Sequence, residues 1–409
     1  MLDAWSDDAS VLEPAAGERG GSDHHPLRLR AEAAAMVAAE HAVAVDRDAR
    51  FPAEAMAALK SQRLLGMAVP RDLGGDGATL AEVADVCFKL GRNCSSTALI
   101  FAMHQIKVAC VARHGRGSAF HEGVLRDVAA HQWLLASSTT EGTNGGNVRN
   151  SAAAVEAHDD GSIALDRDST VISYGAQADA IVTTARRSAE AVGSDQVLVV
   201  LLREHYRLDP GQTWETLGMR GTCSAGFKLH ARAAAGQVLP VGYDVIHART
   251  MTPVAHVLWG AVWSGIAAAA VARAQDFVRM AARRAKGQMP PGAAHYTRAQ
   301  SSLRSLRTMV RDGIARYEAA LADEALFASL DFNVAANLLK VEASETAVAA
   351  VMSALRACGL SGYRNDGEAS VGRQLRDVLS SPLMINNDRI LSSLASPALM
   401  SAVPDGLMD

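Results

Sequence analysis

The sequence has few cysteines, and their arrangement is not that of a structural framework. The 409 residues include 5 cysteines, which are Cys87, Cys94, Cys110, Cys223 and Cys358. Because the number is odd and no two form a CxxC pair, the pattern excludes a disulfide-stapled fold and a cysteine-rich zinc site. We expect no metal site and a reducing, cytoplasmic location.

Positive and negative charges are nearly balanced in the sequence. The 40 Lys and Arg residues against 44 Asp and Glu give a net charge of −4. With no basic patch, nucleic acid and anionic lipid are not expected as partners. Residues 1–26 are acidic and lack the basic-then-apolar order of a signal peptide, so they predict a disordered leader.

One apolar run, residues 254–271, could suggest a membrane span. It is rich in alanine, contains His256 and has no aromatic residues at its ends. These features favour a buried helix in a large α-helical core, and no membrane span is predicted.

The hydrophobic residues, 49% of the chain, fall into three blocks. Residues 27–132 have apolar positions three and four apart, which predicts an N-terminal helical domain. Residues 133–241 consist of short Val-, Ile-, Leu- and Thr-rich segments between turns, which predicts a β domain. Residues 242–409 return to long helical patterns. The fold class is therefore α+β and multidomain.

Five motifs occur in a fixed order along the chain. They are RLLGMAVPRDLGGDGATLAEVADV (63–86), TTEGTNGGN (139–147), VISYG (171–175), LGMRGTCSAGFKL (217–229) and RACGLSGYRNDGEASVGRQLRD (356–377). In sequence and spacing they resemble the motifs of the acyl-CoA dehydrogenase family.

That resemblance implies an N-terminal α-helical domain, a middle β-barrel domain and a C-terminal four-helix domain. It also implies noncovalently bound FAD, with FMN less expected, and a homotetramer or homodimer. The implied substrate is an acyl thioester of CoA or of acyl carrier protein, and the implied partner is a flavin electron acceptor or reductase.

Hydroxyl side chains are the first candidates for the flavin site. The resemblance places Thr139, Thr140 and Ser173 beside the flavin ring, and Thr222 and Ser224 towards the thioester and flavin. Strand-end hydroxyls can meet the hydrogen-bonding edge of a flavin, although the same residue types also satisfy turns.

Cations and glycines supply candidates for the FAD diphosphate. Arg283 and Arg284 end a long helical pattern, where they suit either the helix dipole or a pyrophosphate. The resemblance places Arg356, Gly359 and Gly362 at the FAD of a neighbouring subunit, with Arg356 in place of the usual glutamine.

The carboxylate that removes the substrate α-proton in this family has no counterpart. In RDVLSSPLMINNDRI its position is occupied by Ile385, which we also expect to contact substrate. In AHVLWGAVWSG, the alternative position is Ala255. Neither side chain can accept a proton.

Three other groups are candidates for the base. Asp388 lies three residues after Ile385, although it also suits a helix N-terminus. His104 lies on a helix that the resemblance places along the flavin pocket, but such a histidine also suits a core. His256 is adjacent to the alternative base position.

The sequence is compatible with three functions. The first is an FAD-dependent oxidoreductase that acts on an acyl thioester with a displaced base. The second is a flavin-dependent monooxygenase of the same fold, which uses reduced flavin and oxygen and needs no glutamate. The third is a noncatalytic flavoprotein subunit.

Overall fold

The computed structural model describes residues 25–142, 147–403 and 405–406. Within these ranges the chain forms a helical part, a β part and a second helical part, in the order that the sequence predicts. The predicted leader lies outside the described residues as far as residue 24.

From residue 25 onwards, where the structure describes the chain, five helices precede the first strand. They are α1 (His25–Arg47), α2 (Ala53–Ser61), α3 (Leu80–Asn93), α4 (Ser95–His114) and α5 (Ala119–His131). Helix α3 begins at a capping box, in which Thr79 and Glu82 each bond the other's backbone N–H through their side chains. Helix α4 is buried over most of its surface, as its largely apolar sequence requires.

Seven strands in the described part of the chain form two small sheets. They are β1 (Leu135–Ser138), β2 (Glu156–Ala157), β3 (Ser162–Ser169), β4 (Ala180–Arg186), β5 (Gln196–Leu202), β6 (Tyr206–Pro210) and β7 (Phe227–Ala234). One sheet has the order β1-β4-β5 and the other β2-β3-β7-β6. Strands β4 and β5 are buried on both faces, whereas β3 and β7 alternate buried and more exposed residues. In the described residues the expected barrel is thus a pair of sheets.

Seven helices follow the β part. They are α6 (Tyr243–Ile246), α7 (Thr252–Arg284), α8 (Ala293–Ala322), α9 (Leu330–Cys358), α10 (Leu360–Tyr363), α11 (Gly372–Val378) and α12 (Asn387–Met400). A π-helical turn, His247–Met251, joins α6 to α7.

Two described helical stretches are long and apolar enough to cross a membrane. They are Ser95–His114 and Tyr243–Arg284, and 83% and 94% of their most apolar windows are buried inside the protein. Such burial is typical of core helices. The apolar run at 254–271 lies within the second stretch, where the sequence predicts a core helix.

Helices α3 and α7 cross at two glycines. A Cβ on Gly91 would lie 2.6 Å from the carbonyl oxygen of Val262, and one on Gly265 would lie 2.3 Å from that of Phe88. The two backbones therefore approach more closely than any side chain allows. This contact fixes α7 against the N-terminal helices.

We expect Gly265→Ala to lower the free energy of unfolding by about 1–3 kcal/mol, because the added methyl group must push the two backbones apart. Gly123→Ala is the matched control, since a Cβ at that helical position meets nothing within 4 Å. The control should be neutral or slightly stabilising. Urea unfolding followed by circular dichroism measures the stability of both variants. Equal unfolding midpoints for Gly265→Ala and Gly123→Ala would contradict the close crossing.

Candidate active site

A cavity of about 1040 Å³ is bounded by both helical parts and the β part. Its wall includes Leu99 and Met103 from α4, Thr139 and Thr140 after β1, and side chains from residues 376–389. This volume and the many apolar side chains in the wall are typical of a site for a small organic ligand or cofactor.

A chain of hydroxyl groups lines one wall of the cavity. The Oγ atoms of Ser173 and Ser224 lie 2.7 Å apart, and Ser224 Oγ lies 2.7 Å from Thr222 Oγ1. Thr222 donates its proton to the carbonyl oxygen of Met219 at 2.9 Å. Because each hydroxyl has one proton, Ser173 donates to Ser224 and keeps its lone pairs for a ligand.

Strained backbone surrounds these hydroxyls. Tyr174, Met219 and Cys223 have positive φ angles of 45°, 54° and 46°, and each is adjacent in sequence or hydrogen-bonded to a member of the hydroxyl chain. Non-glycine residues rarely adopt such angles, which occur often at ligand sites. The cavity is lined by all five hydroxyl residues that the sequence singles out, Thr139, Thr140, Ser173, Thr222 and Ser224.

Both expected positions of the catalytic glutamate lie on the cavity wall, as Ile385 and Ala255. Among the described lining residues the one carboxylate is Glu141. It pairs with the buried Arg167 at 3.1 Å and accepts the backbone N–H of Ala152 at 2.6 Å. A carboxylate so engaged is a structural anion, so the described wall offers no free carboxylate base.

His104 is a core residue and is not among the described residues that line the cavity. It is fully buried, its Nε2 donates to the carbonyl oxygen of Leu65 at 2.9 Å, and its Nδ1 accepts the N–H of Leu135 at 3.0 Å. Burial lowers its pKa to about 4. With both nitrogens engaged, His104 cannot act as the base in this arrangement.

Asp388 is exposed in the first turn of α12 and does not line the cavity. Its backbone N–H bonds to the side-chain oxygen of Asn386, the N-cap, at 2.8 Å. A carboxylate in this place stabilises the positive end of the helix dipole. The position of Asp388 is therefore explained by a role at the start of α12, and Asp388 is not placed to act as the base.

His256 is the one candidate base that lines the cavity. Its Nδ1 donates to the carbonyl oxygen of Ala336 at 2.8 Å, and its ring packs 5.7 Å from that of Trp259. Burial lowers its pKa to about 4, so the ring is neutral near pH 7. It can accept a hydrogen bond through Nε2, but it is a weak base.

The residues expected at the FAD diphosphate lie apart from the cavity. Arg283, Arg284, Arg356 and Gly359 are exposed, Gly362 is buried beside Cys358, and none of the five contributes to the described wall. The assignment of Arg283 and Arg284 to the FAD diphosphate stays a prediction, as does that of Arg356, Gly359 and Gly362 to the FAD of a neighbouring subunit.

The chain is similar to known proteins in both sequence and fold. Residues 24–131 match the family model described as acyl-CoA dehydrogenase, N-terminal domain. Butyryl-CoA dehydrogenase from Megasphaera elsdenii superposes on 94% of this chain and 100% of its own, with a TM-score of 0.74 and 17% identity. This chain has the acyl-CoA dehydrogenase fold.

The same fold occurs in proteins with other reactions. FMN-bound TdsC from Paenibacillus sp. A11-2, a dibenzothiophene monooxygenase, superposes on 93% of this chain and 98% of its own, with a TM-score of 0.79 and 18% identity. A curated dibenzothiophene monooxygenase of Mycolicibacterium goodii is 24% identical over 235 residues. That alignment spans 55% of this chain and 56% of the relative, so it covers about half of each.

The loop that carries Ile385 is held by a buried lysine. Lys340 Nζ donates to the carbonyl oxygen of Ile385 at 2.8 Å and to Asn387 Oδ1 at 2.6 Å. Ile385 itself has a φ of 49°, which is strained for a branched side chain. Burial lowers the pKa of Lys340 to about 8. The lysine therefore stabilises the segment that carries the glutamate in acyl-CoA dehydrogenases.

Three basic side chains of this region, Lys340, Lys107 and His247, are not predicted by the sequence motifs. Lys107 and His247 line the cavity, and Lys340 braces its wall. Each lysine stands alone in an apolar helical run, IKVAC and NLLKV. That pattern is a usable signal, because a lysine is rarely buried without a specific partner or function.

Stability should fall as the pH falls from 6.5 towards 4. Burial lowers the pKa of His104 and of His256 from 6.5 to about 4, so in this window the unfolded chain binds more protons than the folded protein. We expect His104→Gln to reduce the loss of unfolding free energy between pH 7 and pH 5, measured by urea titration. His131→Gln, at the exposed end of α5, is the control, and an equal loss in both variants would contradict the assignment.

Proposed function

We propose that this protein is a flavin-dependent monooxygenase that oxygenates a small, largely apolar substrate. The observation that carries the proposal is the absence of a free carboxylate from the described cavity wall, including both positions that bear the base in dehydrogenases. Without that base the α-proton of an acyl thioester has no carboxylate to accept it, whereas oxygenation does not require its removal.

The residues present fit a flavin. The cavity of about 1040 Å³ can hold a ring system together with a small substrate. Thr139, Thr140 and Ser173 would supply polar contacts for its edge, and the buried Nε1 of Trp259 is a donor without a partner in the described structure. FMN is bound by TdsC, and FAD is expected from the sequence; the flavin that copurifies with this protein distinguishes them.

The overall reaction would take two electrons and two protons from reduced flavin, place one atom of dioxygen in the substrate and release the other as water. The chain's part is to bind, orient and exclude water. Leu99, Met103 and Trp259 provide apolar wall, and the hydroxyl chain ending at Ser173 provides a fixed acceptor.

We further propose the setting in which this reaction runs. A separate NAD(P)H-linked reductase would supply the reduced flavin, and the protein would act in the cytoplasm as a homotetramer or homodimer. The scattered, free cysteines support the reducing compartment, and the reductase and the oligomer follow from the resemblance to the family.

Purified protein supplied with reduced flavin should insert one atom of ¹⁸O₂ into a small aromatic probe, drawn from a panel of indole, dibenzothiophene and 4-methylphenol. Mass spectrometry of the product measures the incorporation. Butyryl-CoA should leave the bound oxidised flavin unbleached under anaerobic conditions. Bleaching would favour a thioester dehydrogenase, and failure to bind either flavin would favour a noncatalytic subunit.

Ser173→Ala should raise the Kd for flavin about 2- to 10-fold, because one net hydrogen bond is lost. The Kd is measured from the quenching of flavin fluorescence during titration. Ser301→Ala, at an exposed position of α8, is the control and should bind flavin as the wild type does. An unchanged Kd for Ser173→Ala would mean that the hydroxyl chain does not contact the flavin.

A further inference from the structure

Lys107 is a buried cation on the wall of the cavity. It lies on α4, is 3% exposed, and lines the cavity together with Met103 one turn earlier. A buried ammonium group is costly unless its charge is compensated. Its surroundings therefore indicate what the cavity is built to receive.

The protein gives Lys107 very little compensation. Within the described structure, the hydrogen-bond partner of its Nζ is the thioether sulfur of Met251 at 3.1 Å, and no carboxylate lies within ion-pairing distance. A thioether is a weak acceptor, and an ammonium group has three protons to donate. Met251 also lines the cavity, so this pair is part of the wall.

Lys340 shows how the same protein satisfies a structural lysine. Its Nζ reaches the carbonyl oxygen of Ile385 and the side-chain oxygen of Asn387, at 2.8 and 2.6 Å. Lys107 has no oxygen acceptor of this kind among the described residues. The two lysines are buried alike, at 3% and 0% exposure, so Lys107 keeps donor capacity for an oxygen of a bound ligand.

Three titratable neighbours of Lys107, namely His247, Cys110 and Tyr243, are uncharged near pH 7, and the exposed Arg149 is a further cation near His247. His247 has a pKa lowered to about 4 by burial, with Arg149 and Lys107 contributing, so it is neutral near pH 7. Burial raises the pKa of the Cys110 thiol to about 12 and keeps the Tyr243 phenol protonated. Lys107 itself has a pKa lowered to about 8 by burial, and it is mostly protonated at pH 7.

The π-helical turn His247–Met251 completes this end of the cavity. It places His247 and Met251 on the wall beside Tyr243 from α6. Such turns are rare and occur often at functional sites. The π-helical turn and the buried lysine are thus two independent observations that indicate a functional site at this end of the cavity.

We propose that Lys107 binds the deprotonated hydroxyl of a phenolic substrate, so that the monooxygenase acts on phenols. This inference rests on the proposed function for the reaction, but the binding site stands without it. The phenol would release its proton to water on binding, and Lys107 would keep its own. The phenolate is more electron-rich than the phenol, which favours attack of the ring on an electrophilic oxygen. The apolar wall around Lys107 suits an aromatic ring.

The test is a spectroscopic titration of the flavin-loaded protein with 4-nitrophenol, below the pKa of the free ligand. Wild type should develop the yellow phenolate band on binding. Lys107→Met should lose the band and bind at least about tenfold more weakly, because a charge-assisted hydrogen bond is removed. Lys107→Arg, which keeps the cation, should retain a phenolate band. Lys228→Met, at an exposed position of β7, should match the wild type.

Further ligands distinguish the alternatives. 4-Nitroanisole, which has no ionisable hydroxyl, should bind wild type and Lys107→Met equally. No phenolate band in wild type, an undiminished band in Lys107→Met, or a preference for 4-nitrobenzoate over 4-nitrophenol would each overturn the inference. The wild-type titration decides the question even if Lys107→Met does not fold. A phenolate band in a protein that incorporates no ¹⁸O would overturn the proposed function and leave this site intact.

Discussion

Helices α3 and α7 cross at close range, and this contact sets where α7 lies relative to the N-terminal helices and the cavity. Helix α7 is buried over most of its length and can approach α3 because both contribute glycine, Gly91 and Gly265. This approach sets the position of the residues that α7 gives to the cavity, Ala255, His256 and Trp259. A core helix thereby also determines the depth and polarity of the site.

Desolvation gives the cavity its chemical character. Glu141 is neutralised by Arg167, and burial keeps His247 and His256 uncharged near neutral pH. The wall therefore has hydrogen-bond acceptors and an uncompensated ammonium, Lys107, but little basicity. Such a site suits a reaction in which proton abstraction from carbon is not the difficult step.

The sequence predicts the parts of this molecule that depend on local chemistry. The motifs of the family resemblance singled out Thr140 and Ser173, and the structure places both on the cavity wall, because the residues that shape each turn are its neighbours in sequence. The rotation of a helix about its axis is not local. On α4 the cavity-facing residues are Leu99, Met103, Ile106 and Lys107, which lie on one helical face, and His104 points elsewhere although it lies on the same helix. The packing of α4 against α3, α7 and β1 decides that rotation.

The π-helical turn between α6 and α7 determines which residues of the two helices line the cavity. One extra residue in a helix rotates everything on one side of it by about 100° relative to the other side. The insertion therefore brings Tyr243 and His247 onto the same cavity as Ala255 and His256. Among proteins of this fold, a gain or loss of a single residue here would exchange an entire face of the pocket, so specificity can change by insertion as well as by substitution.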